Sequence, residues 1–555
     1  MEQVRLILAI VLSFLVLVFW NYFFVETPQV QQEKDKLEQP NQESVDQQQL
    51  TNQTINSTSS EVAKTTYPVD GSILNPPRTI VVNSPLYTLE ISEKDATLNR
   101  FMLKHYREHS DKDSPNKELI SHEMQQGILQ FFLENNMYVG AGAEHIQYKA
   151  STDSDVLEVT DKEQELTFFG STSNGLIIKR SYRFINDSYV IDHVITIQNN
   201  SSIPIQDRGL LKLSTPLPKK DATYGFEGPC ALVDDSLKQI NIKDIDPSQK
   251  IDGRFSWMAI VDRYFMMSVI PTNSKESGMK IEKDNRFLFI SFLSPMFQLQ
   301  QGKSETIQIK LFIGPKRVDI LKKLGSHLDK AVDFGWFDII AKPCLWLMNF
   351  LYSFIPNYGI AIILLTILIK IIFWPLGSKS YRSMNEMKKL QPLVAELQVK
   401  YKNDKRKLNE AMLDLYKTYK VNPFSGCLPV LVQLPIFIAL YRMLYEAIEL
   451  RHAPFFGWIS DLSAPDRLFH FNFQIPFMEA PYGIPVLTII MGLTMFIQQK
   501  MSPPVGDPTQ AKMMMFMPLI FTFIFINFSS GLVLYWLVNN IFSIAQQYYT
   551  TKSNS

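Results

Sequence analysis

The sequence predicts an α-helical membrane protein with six transmembrane helices, five of them forming a core, joined to an extracytoplasmic all-β supersandwich domain. Three observations predict this fold class. Apolar runs long enough to cross a bilayer occur at the N-terminus and again after residue 350. Residues 78 to about 315 instead alternate short apolar runs with turn signals. Lys plus Arg and Asp plus Glu are equal at 55 each, and the basic residues are concentrated in particular loops.

The N-terminal 77 residues divide into an anchor and a tether. Residues 1–25 carry an apolar run that ends in aromatic residues and lacks a small-x-small cleavage site, which predicts an uncleaved signal-anchor helix. Residues 26–77 are rich in Gln, Asn, Ser, Thr and Glu without periodicity, which predicts a disordered linker.

The next region predicts the β domain, residues 78–330. Runs such as Thr79–Val82 and Leu288–Ile290 alternate with turn signals such as Asp252-Gly253. Residues 331–353 are rich in aromatic residues and contain Pro343, which predicts an amphipathic helix lying in the membrane interface. An ordinary cap on the β domain is the alternative for this segment.

The C-terminal part, residues 354–550, predicts the five-helix core. Its apolar segments are Ile355–Leu376, Phe424–Ala447, Ile484–Gln499, Met513–Phe528 and Gly531–Tyr548. The loop 378–421 carries eleven basic residues against five acidic ones, so the positive-inside rule predicts that it is cytoplasmic. Six spans with both termini in the cytoplasm, including a short tail at 551–555, satisfy every loop and leave the β domain outside.

The cytoplasmic loop predicts a helical hairpin. One apolar stripe consists of Met387, Leu390, Val394 and Leu397, and the other of Leu408, Met412, Leu415 and Tyr419. Four basic residues lie near the turn, namely Lys402, Lys405, Arg406 and Lys407. The hairpin could cover the mouth of a groove, meet ribosomal RNA and nascent chain, or be a solvated helical pair that obeys only the positive-inside rule.

The motifs exclude most covalent chemistry. His122-Glu123 begins like a zinc-protease helix, but Gln126 occupies the position of the second histidine. Gly302-Lys303-Ser304 resembles the end of a phosphate-binding loop, but Phe297 stands where its first glycine belongs. The three cysteines are widely spaced and predict neither a disulfide framework nor a zinc site. The sequence therefore predicts no enzyme, no cofactor and no metal.

Polar residues inside the apolar segments are the candidate functional residues. Lys370 and Thr366 lie four residues apart on one helical face. A lysine at the centre of a lipid-exposed helix costs about 2.5–3.5 kcal/mol, so it needs a function or an escape by snorkelling to the interface. Gln433, Asn539 and Asn540 add matching polar groups on other segments, which together predict a hydrated groove. Helix–helix hydrogen bonding is the alternative.

The fourth and fifth spans are short. Ile484–Gln499 and Met513–Phe528 each have sixteen residues, against about 20 for a full hydrocarbon core. We expect this pair to thin the membrane beside the groove. The fifth span opens with a methionine cluster, which favours a surface that accepts many apolar partners.

Four runs of sequence resemble the YidC family of insertases, namely VNPFSGCLPVLVQLPIFIALYRML (421–444), FGWISDLSAPD (456–466), GLTMFIQQKMSP (492–503) and FSSGLVLYWLVNN (528–540). The resemblance implies an inner-membrane insertase and chaperone with a five-helix core around a cytosol-open groove, and a periplasmic domain similar to galactose mutarotases. It also implies nascent membrane proteins and membrane lipid as partners, with the Sec translocon and the ribosome as further ones, and no DNA. The groove residues are then Lys370, Thr366, Gln433, Tyr535, Trp536 and Asn539.

The sequence departs from the family pattern at three positions. Lys370 stands where the family usually has arginine, so the charge is kept without the planar fork. Trp536 replaces a common tyrosine, and Ser529 replaces a common proline. The six residues after Tyr549 contain one basic residue, so we expect no basic ribosome-binding extension.

Two other functions compete with insertion. A transporter or channel would require repeated halves with interrupted helices, and the sequence shows no such repeat. An anchored periplasmic carbohydrate-binding or envelope protein would require only one span.

Overall fold

A computed structural model describes residues 77–552, except for gaps at 112, 122–126, 136–145, 161–162, 173–174, 219–224, 246, 274, 403, 420, 422–427 and 503–507. The predictions for the signal anchor, for nearly all of the linker and for the His122-Glu123 pair lie outside the described residues. All described residues belong to one structural unit, Leu74–Ser555.

The first half of the described chain consists of strands, because apolar residues alternate there with a period of two. In β1, Ile80 and Val82 are buried while their neighbours are partly exposed. In β2, Tyr87 and Leu89 continue the alternation. The strands are β1 Thr79–Asn83, β2 Tyr87–Ser92, β3 Leu98–Arg107, β4 Asn116–Ile120, β5 Gln130–Leu133, β6 Tyr148–Ala150, β7 Val156–Glu158, β8 Gln164–Ser171, β9 Leu176–Phe184, β10 Val190–Asn199, β11 Ile205–Asp207, β12 Gly209–Pro216, β13 Gly228–Val233, β14 Ser236–Gln239, β15 Ser248–Gly253, β16 Phe255–Val261, β17 Phe265–Pro271, β18 Ser277–Lys283, β19 Phe287–Leu293, β20 Phe297–Leu299 and β21 Ser304–Pro315.

These strands form one large sheet and smaller sheets around it. The nine-stranded sheet has the order β14-β13-β16-β17-β21-β10-β9-β8-β6. Two five-stranded sheets have the orders β4-β3-β2-β1-β7 and β15-β18-β19-β12-β5, and β11 pairs with β20. Among the described strands of this domain the pairings are antiparallel except for β1 with β7. The all-β prediction is confirmed.

A buried arginine organises the β core. Arg180 is fully buried and donates to the backbone carbonyls of Asp95 and Leu129, both at 2.7 Å. Both residues have left-handed backbones, with φ of 58° and 68°. His193 lies beside the guanidinium, and burial together with the charge of Arg180 lowers its pKa well below the usual value. The positive charge of Arg180 is thus held by the backbone carbonyls of two residues with left-handed backbones.

The second half of the described chain is helical. The helices are α1 Val318–Leu324, α2 Asp338–Phe354, α3 Tyr358–Lys389, α4 Gln391–Lys400, α5 Lys405–Thr418, α6 Leu428–Glu446, α7 Val486–Met501, α8 Pro508–Phe525 and α9 Ser530–Lys552. A short hairpin, β22 Leu468–Phe471 with β23 Tyr482–Ile484, lies between α6 and α7.

Helix α2 occupies most of the predicted interfacial segment, which itself begins with short 3-10 turns. Its inner face buries Ala341, Leu345 and Met348. Its outer face exposes an aromatic ladder in which Trp346 stacks on Phe350, with ring centroids 5.5 Å apart. This separation of faces is what an interfacial helix requires, and its place in the membrane stays a prediction.

Helix α3 runs past the predicted end of its span. Pro375 lies inside the helix, which continues to Lys389 because the residues beyond the proline still pack against α9. Gly377 makes this packing possible, since a Cβ there would lie 2.8 Å from the side-chain amide of Gln546. The first arm of the predicted hairpin therefore begins as an extension of α3.

Helices α4 and α5 pack against each other, and the residues between them differ from the predicted second stripe. Met387 and Leu390 pack with Tyr416 and Val421, and Val394 and Met412 lie against them. Tyr419, predicted to belong to this stripe, is exposed. The helix ends at Thr418, so Tyr419 has left the helical face, and Val421 turns back against the hairpin.

One described helix, α3, is long and apolar enough to cross a membrane by length and composition. Val486–Met501 and Met515–Phe525 are shorter apolar helices. The count of six spans therefore stays a prediction.

The β domain is attached to the helical part by two arginines. Arg263 donates from Nε to the carbonyl of Tyr445 at 2.8 Å, and its guanidinium lies 3.7 Å from the centre of that tyrosine ring. Arg451 donates to the carbonyls of Arg107 and Glu108. Near this junction Glu449 is partly buried, and burial raises the pKa of its carboxyl.

We expect Arg180→Met to destabilise the β domain by about 2–4 kcal/mol, because two buried carbonyls lose their donors. The measurement is the urea midpoint of the full chain in detergent, followed by tryptophan fluorescence. Arg254→Met is the matched control, since the Arg254 side chain forms an exposed pair with Asp234 at 3.6 Å and its loss should cost about 0.5 kcal/mol or less. Equal midpoints for the two variants would contradict a structural role for Arg180.

Candidate functional site

Helix α9 carries a stripe of polar side chains along an otherwise apolar helix. The stripe, called the polar seam here, consists of Asn539, Asn540, Ser543, Gln546, Gln547 and Thr550. Asn539, Ser543, Gln546 and Thr550 follow the i, i+4, i+7, i+11 spacing of one helical face. All members except Asn539 are buried, whereas Ile541, Tyr548 and Tyr549 on the other side are exposed. The seam therefore faces the neighbouring helices.

Lys370 reaches the seam from α3. Its Nζ donates to Ser543 Oγ at 2.7 Å, and Ser543 Oγ in turn donates to the carbonyl of Asn539 at 2.8 Å. Lys370 as a residue is only partly buried, in contrast to the buried members of the seam. A hydroxyl partner leaves the positive charge uncompensated at this contact, since serine supplies no negative charge.

Gln433 joins the seam from α6. Its Nε2 donates to Asn539 Oδ1 at 2.6 Å. Through Asn539 and Ser543, hydrogen bonds thus connect Gln433 with Lys370, two residues predicted separately from the sequence. The helix–helix hydrogen bonding weighed as an alternative for Gln433 is present, and it occurs next to the lysine.

Further contacts extend the seam in both directions. Gln546 Nε2 donates to the carbonyl of Trp374 at 2.8 Å and to Ser378 Oγ at 3.1 Å on α3. Asn540 Nδ2 donates to Thr494 Oγ1 on α7 at 3.2 Å. The last helix therefore makes polar contacts with three other helices. In hydrocarbon such contacts satisfy groups that lipid cannot.

The other predicted groove residues occupy different positions. Thr366 is buried, and its hydroxyl donates to the carbonyl of Ile362 in its own helix at 2.7 Å. Tyr535 is buried one turn before the seam. Trp536 lies in an aromatic cluster with Phe437 and Phe525, at centroid distances of 4.5 and 5.0 Å. Trp536 and Tyr535 thus border the seam, whereas the Thr366 hydroxyl is already engaged.

The basic cluster of the hairpin lies at the start of α5. Asp404 caps this helix by accepting from the Lys407 backbone N–H at 3.1 Å. Arg406 pairs with Glu410 at 3.3 Å, and both side chains are largely exposed. Lys402 is exposed in the preceding turn, and Lys405 is the first helical residue. Cations at a helix N-terminus oppose the helix dipole, so this cluster does not serve to stabilise the helix.

Sequence reasoning missed Ser543, Gln546 and Thr550. The signal was present, because their spacing after Asn539 repeats one face of a helix. Their partners on α3, such as Ser378, could not be paired from the sequence. Among the described residues, His, Cys, Asp and Glu form no group that could hold a metal ion.

Comparison with known proteins places both halves of the chain. Residues 79–347 match the family model described as YidC periplasmic domain, and residues 350–555 match the one described as 60Kd inner membrane protein. A protein of Syntrophus aciditrophicus named membrane protein insertase YidC is 42% identical over 492 residues, covering 87% of this chain and 86% of its own. A protein of Geotalea daltonii with the same name is 39% identical over 553 residues, covering 99% of each chain. A crystal structure titled as an active YidC insertase with its first transmembrane domain resolved is 19% identical over 85% of this chain and 94% of its own, with a TM-score of 0.37.

We expect the bond between Gln433 and Asn539 to appear as an energetic coupling. In a double-mutant cycle of Gln433→Leu and Asn539→Leu, the stability losses of the two single variants should add up to more than the loss of the double variant. We expect a difference of about 0.5–2 kcal/mol. The measurement is the thermal unfolding midpoint of the purified chain in detergent. Gln433→Leu combined with Arg254→Met in the β domain should be additive; a Gln433–Asn539 pair that is equally additive would contradict the contact.

Proposed function

This chain belongs to the YidC family of membrane protein insertases, and from that premise we propose that its polar seam and Lys370 line a groove through which nascent chains enter the membrane. The chain is a membrane protein insertase of the bacterial inner membrane, not an enzyme, and its substrates are nascent membrane proteins. The groove, its single cation and its opening toward the cytosol are the parts that we add.

The contact between Lys370 and Ser543 carries the proposal. A lysine in an apolar helix costs about 2.5–3.5 kcal/mol at the centre of a bilayer. The hydroxyl and amides of the seam offset part of that cost without neutralising the charge. A cation held in this way attracts an acidic residue of an entering chain and reduces the cost of desolvating it.

The seam also offers exchangeable hydrogen bonds. Side-chain amides such as those of Gln433 and Gln546 both donate and accept hydrogen bonds. They can therefore exchange their bonds within the seam for bonds to the backbone of a polar segment. A hydrophilic tail in the groove then keeps its polar groups satisfied while it lies within the hydrocarbon layer.

The apolar part of the substrate needs a different surface. We propose that it slides along α6 and α8 into lipid. Helix α8 exposes a run of large apolar side chains, namely Met515, Phe516, Met517, Leu519, Ile520, Phe523 and Ile524. Each Leu or Ile that reaches lipid contributes about 0.3–0.6 kcal/mol, so a typical span drives insertion without a nucleotide.

The orientation follows from charge. Eleven basic residues in the loop 378–421 favour a cytoplasmic hairpin, which gives six spans, both termini in the cytoplasm and a periplasmic β domain. The basic cluster of Lys402, Lys405, Arg406 and Lys407 then faces the cytosol, where ribosomal RNA is an abundant polyanion that it could meet. The Sec translocon is a further proposed partner.

We expect Lys370→Glu to slow insertion of a substrate whose translocated tail is acidic by about tenfold or more, because attraction becomes repulsion and 1.4 kcal/mol is a factor of ten. The measurement is protease protection of the tail during synthesis into proteoliposomes, with photocrosslinking from position 370 in parallel.

Lys370→Arg is the matched control and should retain insertion, because it keeps the charge. A substrate whose tail carries Asn and Gln in place of Asp and Glu should be affected less by Lys370→Glu. Normal insertion of the acidic tail by Lys370→Glu would refute the electrostatic part of the proposal and leave the family assignment unchanged.

We expect replacement of Lys402, Lys405, Arg406 and Lys407 by Gln to weaken ribosome binding, because phosphate contacts release counterions. Co-sedimentation with ribosomes over a salt series should show lower binding and a shallower salt dependence. A variant with Lys179, Lys238, Lys275 and Lys280 of the β domain replaced by Gln removes the same charge elsewhere and should bind as the parent does. If both variants bind ribosomes equally, the basic cluster serves only the positive-inside rule and does not bind ribosomes.

A further inference from the structure

The loop between α6 and α7 displays phenylalanines on its surface. Phe469, Phe473 and Phe477 are 67%, 63% and 86% exposed. Phe469 and Phe477 also have left-handed backbones, with φ of 55° and 64°, a conformation that large side chains rarely adopt. Exposed apolar clusters and strained residues both occur preferentially at functional surfaces. We call residues 468–484 the aromatic hairpin.

The aromatic hairpin is fixed to the helices. Arg467 donates to the carbonyl of Pro481 at 2.9 Å and to that of Ile526 at 2.8 Å. Asn527 donates to the carbonyl of Phe477 at 3.0 Å and accepts from the Glu479 backbone N–H at 2.9 Å. Arg467, just before the aromatic hairpin, and Phe477 and Glu479 within it are thus bonded to the turn between α8 and α9. These bonds hold the backbone that carries the exposed phenylalanines.

Asp466, just before the aromatic hairpin, also holds the start of α7. The carboxylate of Asp466 accepts from the Leu487 backbone N–H at 2.8 Å and from the Thr488 hydroxyl at 3.1 Å. A carboxylate at this position caps the first turn of the helix. The aromatic hairpin therefore lies at the end of the α7–α8 pair where α7 begins and α8 ends.

This pair is short for a membrane. Helix α7 has 16 residues and α8 has 18, which at 1.5 Å per residue gives about 24 and 27 Å, against a hydrocarbon thickness of about 30 Å. Exposed apolar side chains occur on α7, including Ile489 and Leu493, and also at Ile484, the last residue of the aromatic hairpin. The hairpin extends the apolar surface where the helices end.

We propose that the aromatic hairpin is immersed in the outer leaflet, with Phe469, Phe473 and Phe477 in contact with lipid at the boundary between acyl chains and headgroups. This inference rests on the orientation proposed above. Its 17 residues contain five Phe or Tyr side chains, one acidic residue, Glu479, one histidine, His470, and neither Lys nor Arg, a composition that suits lipid better than a charged protein surface. Because the hairpin completes the apolar thickness on the outer side, the shortfall of α7 and α8 falls on the cytoplasmic side, where the groove opens.

The test uses an environment-sensitive fluorophore on Phe477→Cys, in the full chain with Cys230, Cys344 and Cys427 replaced by alanine. The chain is reconstituted at low protein-to-lipid ratio into phosphatidylcholine–phosphatidylglycerol vesicles, with iodide on both sides or with a nitroxide on the lipid headgroup. Ile203→Cys in the β domain, 57% exposed, is the water control, and Leu493→Cys on α7, 59% exposed, is the acyl-chain control.

We expect the label at 477 to be quenched by the headgroup nitroxide and to be at least about fivefold less quenched by iodide than the label at 203. Iodide quenching equal to that at 203 overturns the proposal, because the hairpin is then in water. Protection from both quenchers also overturns it, because a second copy or another protein then covers the hairpin.

A second measurement avoids the cysteine-free background. Benzoylphenylalanine in place of Phe477 in the native chain should crosslink to radiolabelled phosphatidylcholine on irradiation, and crosslinks to protein alone overturn the proposal. Neither readout involves insertion of a substrate. Failure of the groove proposal, read from Lys370→Glu, is therefore distinguishable from failure of this one.

Discussion

The helical half of this protein depends on one constraint, namely that polar groups surrounded by hydrocarbon must find partners within the protein. The hydrogen bond from Lys370 to Ser543 is the clearest case, since it holds an ammonium in an otherwise apolar helix. The same constraint accounts for the spacing of Asn539, Asn540, Ser543 and Gln546 on α9, because each of them has a partner on α3, α6 or α7. In the proposed groove, the contacts that hold the helices together are also the polar surface for an entering segment.

The two halves of the chain hold a cationic side chain in opposite ways. In the β domain, Arg180 is buried, and it donates hydrogen bonds to backbone carbonyls that the fold holds in place. In the seam, Lys370 is only partly buried and donates to a side-chain hydroxyl, that of Ser543. The first arrangement fixes a structure, whereas the second leaves a cation that can change partners. This difference fits a rigid external domain and a membrane domain that must receive many sequences.

Much of this fold was predictable from the sequence, and the exceptions have physical reasons. The strands and the apolar helices follow from periods of 2 and 3.6, and Lys370, Gln433 and Asn539 stand out as polar residues in apolar runs. The continuation of α3 through Pro375 was not predictable, because it depends on packing against α9 around Gly377. Tyr416 and Val421 replace Tyr419 in the hairpin because the helix ends at Thr418. The engagement of Thr366 with its own helix depends on a rotamer, which periodicity does not determine.

The attachment of Arg263 to Tyr445 has a mechanical consequence. Tyr445 lies near the end of α6, and Gln433 lies twelve residues earlier on the same helix, about 18 Å away. A shift of α6 along its own axis, away from the β domain, would have to pull that domain with it or break the bond to the Tyr445 carbonyl. The β domain thus restrains the Tyr445 end of α6, whereas the hydrogen bond to Asn539 restrains the same helix at Gln433, so the two bonds together fix the helix at two heights.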